Sequence, residues 1–437
     1  MEKSEDLSWT DDEVSYVRLF GHRIHRAWII LVGCGLFHMA TVAVVFSPIG
    51  LFYVAVCDDM GFARSDISMW QQVHFLVAIP CMPLAVKCLQ RFNSRIVLTA
   101  CILGCALAAF LMGTYTQAWQ WCISGALYGS LGALGTLQLA GPIIIGNWFS
   151  KRTGVAMGVY GVIGSIAAVS MSPIFSLIID AVGWRNAYFI QATIILVLGL
   201  TFTLFICRLR PSSIGALPYG GIPDEVPDET ARRSKVPWRD ICSVTFVMLF
   251  VFAGVSSLIG SGFDAHLAGH AVAVGYDSFF GSLLISALFL GSGIEKAAMG
   301  WLNDKIGVNR TVYIEYIIVA AGMFGLIVCK TPALLLLSAF LFGIQDSFVS
   351  ISLPLLVRKF FGVEKMPQVL AFASIGSGIF GSFGSRLVGL SYDLTGSFNQ
   401  AFMVGIGLCF VGAACITVAN VIKRRKDAAA SKTESAA

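Results

Sequence analysis

The sequence predicts an all-α membrane protein with twelve transmembrane helices arranged as two pseudo-symmetric six-helix bundles. Of its 437 residues, 57% are hydrophobic and 13% are charged, about half the charged share of a typical soluble protein. Apolar runs of roughly 20 residues recur, which is the length that crosses about 30 Å of hydrocarbon as a helix. Lipid offers the backbone no hydrogen-bonding partner, and the short alternating strands of a membrane barrel are not evident, so helices are expected.

Twelve apolar runs define the predicted spans in chain order. They cover residues 27–53, 67–86, 96–116, 119–146, 154–179, 186–207, 241–267, 278–300, 310–329, 332–357, 367–390 and 399–422. The longest break between them contains "PSSIGALPYGGIPDEVPDETARRSKVPWRD", which is rich in Pro, Gly and charge and therefore predicts a linker. The predicted organisation is an N-terminal segment 1–26, a bundle 27–207, a linker 208–240, a bundle 241–422 and a tail 423–437.

The distribution of Lys and Arg predicts the orientation. With both termini placed in the cytoplasm, 25 of the 30 basic residues lie in cytoplasmic segments. Arg64, Arg185 and Lys330 are the three outside, and Lys296 and Arg386 lie within spans. Cytoplasmic loops carry an excess of basic residues, so both termini are predicted to be cytoplasmic, in a cell (plasma) membrane. The same bias accounts for the net charge of +5 without a nucleic-acid partner.

The two halves repeat each other at corresponding loops. "CLQRFNSR" follows the second span and "GWLNDKIGVNR" follows the eighth, while "GWRNAYF" and "TGSFNQAFM" precede the sixth and twelfth spans. Two repeated six-helix bundles with a site near the midplane are typical of an alternating-access carrier. The sequence therefore predicts a secondary transporter.

The loop "GWLNDKIGVNR" resembles the G-x-x-x-D-[RK]-x-G-x-x-[RK] loop of the major facilitator superfamily. The matching residues, interpreted as a gating loop, are Gly300, Asp304, Lys305, Gly307 and Arg310. The copy in the first half retains Arg91 and Arg95 but has Gln90 in place of the acidic residue and Asn93 in place of the glycine. The resemblance implies the major facilitator fold, with a weaker or different latch in the first half.

Further stretches resemble the group of monocarboxylate transporters and oxalate:formate antiporters. They are "DDMGFARSDIS", "NWFSKRTGVAMG", "GWRNAYF" and "SYDLTGSF", and the resemblance extends over residues 27–422. It implies transport of a small organic anion, a mono- or dicarboxylate, by proton symport or anion exchange. The implied partners are that anion, protons or a counter-anion, and membrane lipid. No cofactor, metal site, nucleic-acid partner or enzymatic constellation is predicted.

Lys296 is the first candidate substrate-binding residue. Members of this group are similar in having a basic residue at this place in helix 8, where it meets the substrate carboxylate. The alternative is that Lys296 extends to the cytoplasmic interface, one helical turn away. Glu295 lies about 100° around the helix from Lys296 and is expected to contact a neighbouring helix or the basic residues of the loop. Ser292 occupies the position where this group often has an acidic proton-coupling residue, which argues against a proton relay of that type.

Other polar residues within spans are candidates for substrate binding or proton coupling. Asp346 lies mid-span, where a carboxylate needs a partner or a proton, so it is predicted to pair with Lys296, to carry a proton, or to pack through hydrogen bonds. Candidates for proton coupling, each with packing as the alternative, are His38, His74 and His266. Arg386 is a second possible anion contact near the outer end of span 11, and Asp264 is expected at an interface. His38 and Arg386 complete the predicted substrate-binding set.

Two other functions are open to this sequence. One is a major facilitator carrier of a neutral or larger organic solute, in which Lys296 stays paired with Asp346. The other is a membrane sensor that keeps the fold but signals. Glycine-rich stretches such as "GALYGSLGALG" have no preceding strand and no following Lys-Ser/Thr, so they predict close helix packing and not a nucleotide site.

Overall fold

The computed structural model describes residues 15–19, 22–136, 139–220 and 243–434. Most of the predicted N-terminal segment and the second part of the predicted linker lie outside these residues. Within them, nine helices are long and apolar enough to cross a membrane. The prediction of a multi-pass all-α membrane protein is thereby confirmed, with one small hairpin added to it.

The elements before the linker begin with that hairpin, strands β1 (Tyr16–Leu19) and β2 (His22–His25), which pair antiparallel. The helices that follow are α1 (Arg26–His38), α2 (Ile49–Met60), α3 (Arg64–Arg91), α4 (Ser94–Met112), α5 (Trp121–Ser130), α6 (Ala133–Thr136), α7 (Ala140–Trp148) and α8 (Thr153–Leu200). α1 continues through a π-helical turn, Met39–Ala43, and α8 through another, Thr201–Ile206.

The elements after the linker are all helical. They are α9 (Val244–Asp264), α10 (Leu267–Ala273), α11 (Ser278–Ile306), α12 (Val308–Val328), α13 (Pro332–Gly343), α14 (Leu353–Thr395) and α15 (Asn399–Glu434). A 3-10 turn, Ile344–Asp346, and a π-helical turn, Phe348–Ser352, connect α13 to α14.

The described residues contain nine apolar helices, whereas twelve spans were predicted. The difference arises partly because some long helices are interrupted and contain more than one predicted span. α8 contains the fifth and sixth predicted spans, and its backbone leaves the helical region at Gly183 (φ 79°, ψ 160°). α14 leaves it at Gly362 (φ 80°, ψ 172°), ahead of the predicted eleventh span. Only glycine adopts this backbone region readily. The predicted span 119–146 consists of the shorter helices α5, α6 and α7, so it is not counted among the nine.

The chain separates into two compact units. The first comprises Met1–Pro48 and Val77–Pro227, and the second comprises Ile49–Leu76 and Asp228–Ala437. In the first unit α8 packs against α1 and α4. Its core includes Trp121, Trp148 and Phe202.

The second unit includes α2 and the beginning of α3 together with every described helix after the linker. α9 packs against α14 and α15, and α13 packs against α11 and α12. Phe263 and Phe402 stack at 4.7 Å between ring centroids within this core. The packing of α11 against α13 positions the residues described next.

Candidate functional site

Lys296 and Asp346 form an ion pair inside the second unit. The Nζ atom of Lys296 lies 2.9 Å from Oδ2 of Asp346. Ser292, one turn before Lys296 on α11, donates its hydroxyl to the same carboxyl oxygen at 2.9 Å. The pairing that the sequence allowed is therefore present, and Ser292 adds a hydrogen bond that sequence reasoning did not predict.

This ion pair is only half-buried. The side chains of Lys296 and Asp346 are 39% and 46% exposed. Since both lie within apolar membrane-spanning helices, this exposure faces either lipid or a space open to solvent and solutes, and a charged pair facing lipid is strongly disfavoured. The geometry favours an accessible polar site over a packed structural bridge.

Irregular backbone surrounds Asp346. α13 ends at Gly343, and the chain then passes through the 3-10 turn that contains Asp346 and the π-helical turn that follows it. Such interruptions leave the regular α-helical bonding pattern and are frequent at functional sites. Within membranes they are tolerated where the backbone is buried in protein or lines a cavity.

Close helix packing holds the two charged residues near each other. A side chain on Gly343 would collide with the backbone carbonyl of Leu288, and one on Gly291 would collide with the carbonyl of Phe340. The backbones of α11 and α13 thus touch five residues before Lys296 and three residues before Asp346. Glycine at these positions permits the approach that a 2.9 Å ion pair requires.

Two further carboxyls lie behind the ion pair. Glu295 is 1% exposed and lies near Glu315 of α12 and the Ser347 backbone, which follows α13. Glu315 on α12 is fully buried, and the Ser352 hydroxyl donates to its carboxyl oxygens at 3.0 and 3.1 Å. Sequence reasoning missed Glu315, although a lone carboxylate in the apolar run "YIEYIIVAAG" was a visible signal.

The remaining candidates of the second unit lie among other neighbours. His266 is buried, and its Nε2 lies 2.8 Å from the Ser385 carbonyl oxygen. His74 is buried beside Phe75. Arg386 is exposed and donates to Gln72 at 3.3 Å. These contacts, all between described residues, do not involve Lys296 or Asp346, so the predicted roles of His266, His74 and Arg386 stay predictions.

His38 belongs to the first unit. Its Nδ1 lies 3.1 Å from the Tyr160 hydroxyl, and Gly164 packs against the imidazole ring. A side chain at Gly164 would collide with that ring. The structure thus gives His38 a defined hydrogen-bonded packing position, and its role in coupling or binding stays a prediction.

The predicted gating loop includes the junction of α11 and α12. Gly307 separates the helices with φ 82° and ψ 149°, a conformation that favours glycine. Lys305 lies over the Trp301 ring at 4.6 Å, and Arg310 is exposed. The surroundings of Gly300 and the side chain of Asp304 lie outside the described set. In the first unit, Arg95 donates to the Cys207 carbonyl at 3.2 Å and Arg91 is exposed.

Two of the sequence stretches used for the resemblance meet in the second unit. The backbone N–H groups of Arg64 and Ser65 donate to the two carboxyl oxygens of Asp393 at 3.0 and 2.9 Å. The Arg64 guanidinium lies over the rings of Tyr392 and Phe398, at 4.4 and 5.5 Å. We call this arrangement the α3 clasp. It places a carboxylate at the N-terminus of α3, where the helix dipole favours negative charge.

Comparison with known families identifies one match. The sequence profile described as Major Facilitator Superfamily matches residues 31–329 and 257–436. Those ranges contain both units' membrane helices and the Lys296–Asp346 pair.

Individual relatives are distant but extend over most of the chain. Monocarboxylate transporter 12 of Rattus norvegicus is 24% identical, with 91% of this chain and 86% of the relative aligned. Monocarboxylate transporter 13 of Rattus norvegicus is 23% identical over 88% of this chain and 87% of the relative. Multidrug resistance protein MdtG of Citrobacter koseri is 23% identical over 89% of this chain and 93% of the relative.

Solved structures share the architecture. The nucleoside transporter NupG superposes with a TM-score of 0.66 at 14% identity, covering 91% of this chain and 99% of NupG. An inward-facing, occupied bacterial homolog of the human lysosomal transporter Spinster superposes with a TM-score of 0.66 at 12% identity, covering 90% and 96%. At these identities the likeness concerns the fold.

Proposed function

The chain belongs to the major facilitator superfamily, and from that premise we propose that it is a secondary transporter of a small organic anion, a mono- or dicarboxylate. Transport proceeds by alternating access, as proton symport or anion exchange. The protein lies in the cell membrane with both termini in the cytoplasm, so that the basic loops face the inside.

The observation that carries this proposal is the half-exposed Lys296–Asp346 pair. An accessible ammonium is the group that binds a carboxylate, and Asp346 lies 2.9 Å from it. An incoming carboxylate can replace Asp346 without leaving Lys296 uncompensated in the membrane. Lys296 then binds the substrate, Asp346 and Ser292 regulate access to it, and two of the relatives named above are monocarboxylate transporters.

A second candidate is a carrier of a neutral or larger organic solute. The specific observation in its favour is that Lys296 and Asp346 are already paired at 2.9 Å, so the site is electrically neutral as it stands. The similarity to multidrug resistance protein MdtG supports the same reading. In this case the pair stays closed during transport and orients the solute by hydrogen bonds.

The test is uptake into proteoliposomes. The vesicles are loaded with unlabelled solutes, and labelled formate, acetate, lactate, pyruvate or oxalate is offered outside, with and without a pH gradient. Lys296→Ala is expected to lower saturable carboxylate counterflow by about 10- to 100-fold, which corresponds to the free energy of one hydrogen bond to a charged group. Lys296→Arg restores part of it, because the charge returns with a different geometry.

Two controls separate the alternatives. Lys330→Ala removes an exposed ammonium outside the membrane-spanning helices and is expected to leave counterflow unchanged. Lys296→Ala/Asp346→Ala removes the pair without a net charge change. Carboxylate transport by that double variant at the parental rate contradicts the anion site, and transport of neutral solutes in its place favours the second candidate.

A further inference from the structure

Among the described residues of the second unit, the carboxyls grouped around Lys296 outnumber its single ammonium. Glu295 interacts electrostatically with Asp346, Glu315 and Lys296, and Asp264 interacts with Asp346. Four carboxyls therefore share a single ammonium in this set of interactions. Fully ionised, the set would carry three net negative charges inside membrane-spanning helices.

Two carboxyls of this set lie deepest in the second unit and have no cation in direct contact within the described residues. Glu295 and Glu315 are 1% and 0% exposed, whereas Asp346 is nearly half exposed and holds the Lys296 ammonium directly. The Ser347 backbone approaches Glu295, but within the described residues neither Glu295 oxygen has a hydrogen bond of standard geometry. Glu315 is contacted by the hydroxyls of Ser352 and Ser347.

Among the described residues, the other titratable group beside the two glutamates on α12 is a neutral phenol. It is Tyr316, whose hydroxyl is bonded to Ser256 on α9 at 3.0 Å and whose ring stacks on Phe348. On α11 and after α13, the charged groups that interact with Glu295 are Lys296 and Asp346. Removing an isolated carboxylate from water costs far more than protonating it, so such a group becomes neutral.

We propose that Glu295 and Glu315 form a proton-binding site of this carrier, holding at least one proton at neutral pH, whose occupancy is linked to the Lys296–Asp346 pair. Loading adds a proton from water to a carboxylate oxygen to form a carboxylic acid, and unloading returns it to water on the opposite side. The linkage is electrostatic. When a substrate carboxylate takes over Lys296, its negative charge joins the set, and proton binding offsets that charge.

This inference deepens the proposed function and rests on it only for the linkage to substrate. A proton-coupled carrier needs a group whose protonation changes during the cycle, and the buried glutamates are candidates at the right place. Ser292 occupies the position, one turn before Lys296, where an acidic proton-coupling residue was expected. Glu295 on α11 and Glu315 on α12 can take over that role from other positions.

The first experiment does not use a substrate. Infrared difference spectra of the reconstituted protein are recorded between neutral and alkaline pH, with deuterium exchange to assign carboxylic acid C=O bands. The spectra are recorded in an Asp264→Asn background, so that the remaining buried aspartate of the set does not contribute a band. This parent is expected to show a carboxylic acid band at neutral pH, and adding Glu295→Gln/Glu315→Gln is expected to remove it. Asp180→Asn, which changes an exposed carboxyl of the first unit, retains it. A parent without the band, or a double variant that keeps it, overturns the proton site.

The linkage is tested in the same spectra. Lys296→Ala removes the ammonium that stabilises the ionised carboxyls, so the acid band is expected to persist to higher pH than in the parent. A band with the parental pH dependence in Lys296→Ala contradicts the linkage. Because these results need no transported solute, they stand apart from a failure of the carboxylate panel, which concerns the proposed function alone.

Transport then measures coupling. In vesicles, Glu295→Gln is expected to reduce pH-gradient-driven uptake relative to counterflow without a gradient by about tenfold, a typical size for linkage between two sites. Glutamine keeps the shape of the side chain, so a purely structural role predicts an equal loss in both assays. Equal changes in both assays, or none, overturn the coupling role.

Discussion

At the scale of single residues, the proposed carboxylate site makes Asp346 a competitor of the substrate for Lys296. The two side chains satisfy each other, and Ser292 stabilises the arrangement from the same helix as Lys296. A carboxylate solute must displace Asp346 to reach the ammonium. The pair therefore lowers the affinity for a carboxylate. In return, it keeps the ammonium of Lys296 compensated while the empty carrier changes conformation within the membrane.

Asp346→Asn tests this competition. The amide keeps a hydrogen bond to Lys296 but removes the negative charge, so an anionic substrate meets less competition. We expect the equilibrium affinity for a transported carboxylate to rise by about 5- to 10-fold, while net uptake falls because the empty carrier carries an unpaired ammonium. Binding is measured by ligand-induced thermal shift and uptake in proteoliposomes. Weaker binding together with slower uptake contradicts the competition.

At the scale of elements, the ion pair depends on the contact between α11 and α13. Gly291 and Gly343 let the two backbones touch, and the pair forms less than two turns further along each chain. The contact is formed by small residues, as is common where membrane helices approach closely. A displacement of one helix by the size of a methyl group would stretch a 2.9 Å pair beyond hydrogen-bonding distance.

Gly343→Ala tests the contact. The added methyl group meets the Leu288 carbonyl, which belongs to helix backbone and cannot move aside by rotation. We expect a loss of about 1–3 kcal/mol in stability, seen as a lower Tm in detergent, and reduced transport. Gly407→Ala is the matched control, since nothing lies within 4 Å of a methyl group there. Equal Tm values for the two variants would contradict this prediction, because they would show that α11 and α13 can move apart without a loss of stability.

At the scale of the whole molecule, alternating access requires contacts that form and release. We expect the α3 clasp to be a contact of that kind, because Arg64 and Ser65 come from the first predicted half of the sequence and Asp393 from the second. All three residues lie in the second unit. Cys57 on α2 is buried close to Arg64 and Asp393, so it reports whether the clasp is open.

Asp393→Ala removes the carboxylate that caps α3. We expect the clasp to open more often, by about 5- to 30-fold if the cap contributes about 1–2 kcal/mol. The measurement is the rate at which a membrane-impermeant maleimide added outside labels Cys57, read by mass spectrometry. Asp180→Ala, an exposed carboxyl in the first unit, serves as the control. An unchanged labelling rate in Asp393→Ala would mean that the clasp does not govern access to this region.

Much of the architecture could be predicted because it depends on local composition. Apolar length requires helices in lipid, the glycines at 183, 307 and 362 end or interrupt helices where loops were predicted, and the repeated loops led to the correct superfamily. The counts of helices differed because a span such as 119–146 is built of short helices, which hydropathy does not distinguish from one continuous helix.

The sequence by itself determined the membrane location, the helical architecture, the superfamily and the choice of Lys296 and Asp346 as candidates. Segment hydropathy, the free-energy cost of placing a charged side chain in lipid and the position of a residue in a motif are all properties of short segments. Only the tertiary structure decided that these two residues meet, that Ser292 joins them, and that Glu295 and Glu315 are buried behind them. Those facts depend on how helices distant in the chain rotate and pack against each other, and this rotation is set by side-chain and glycine contacts between helices.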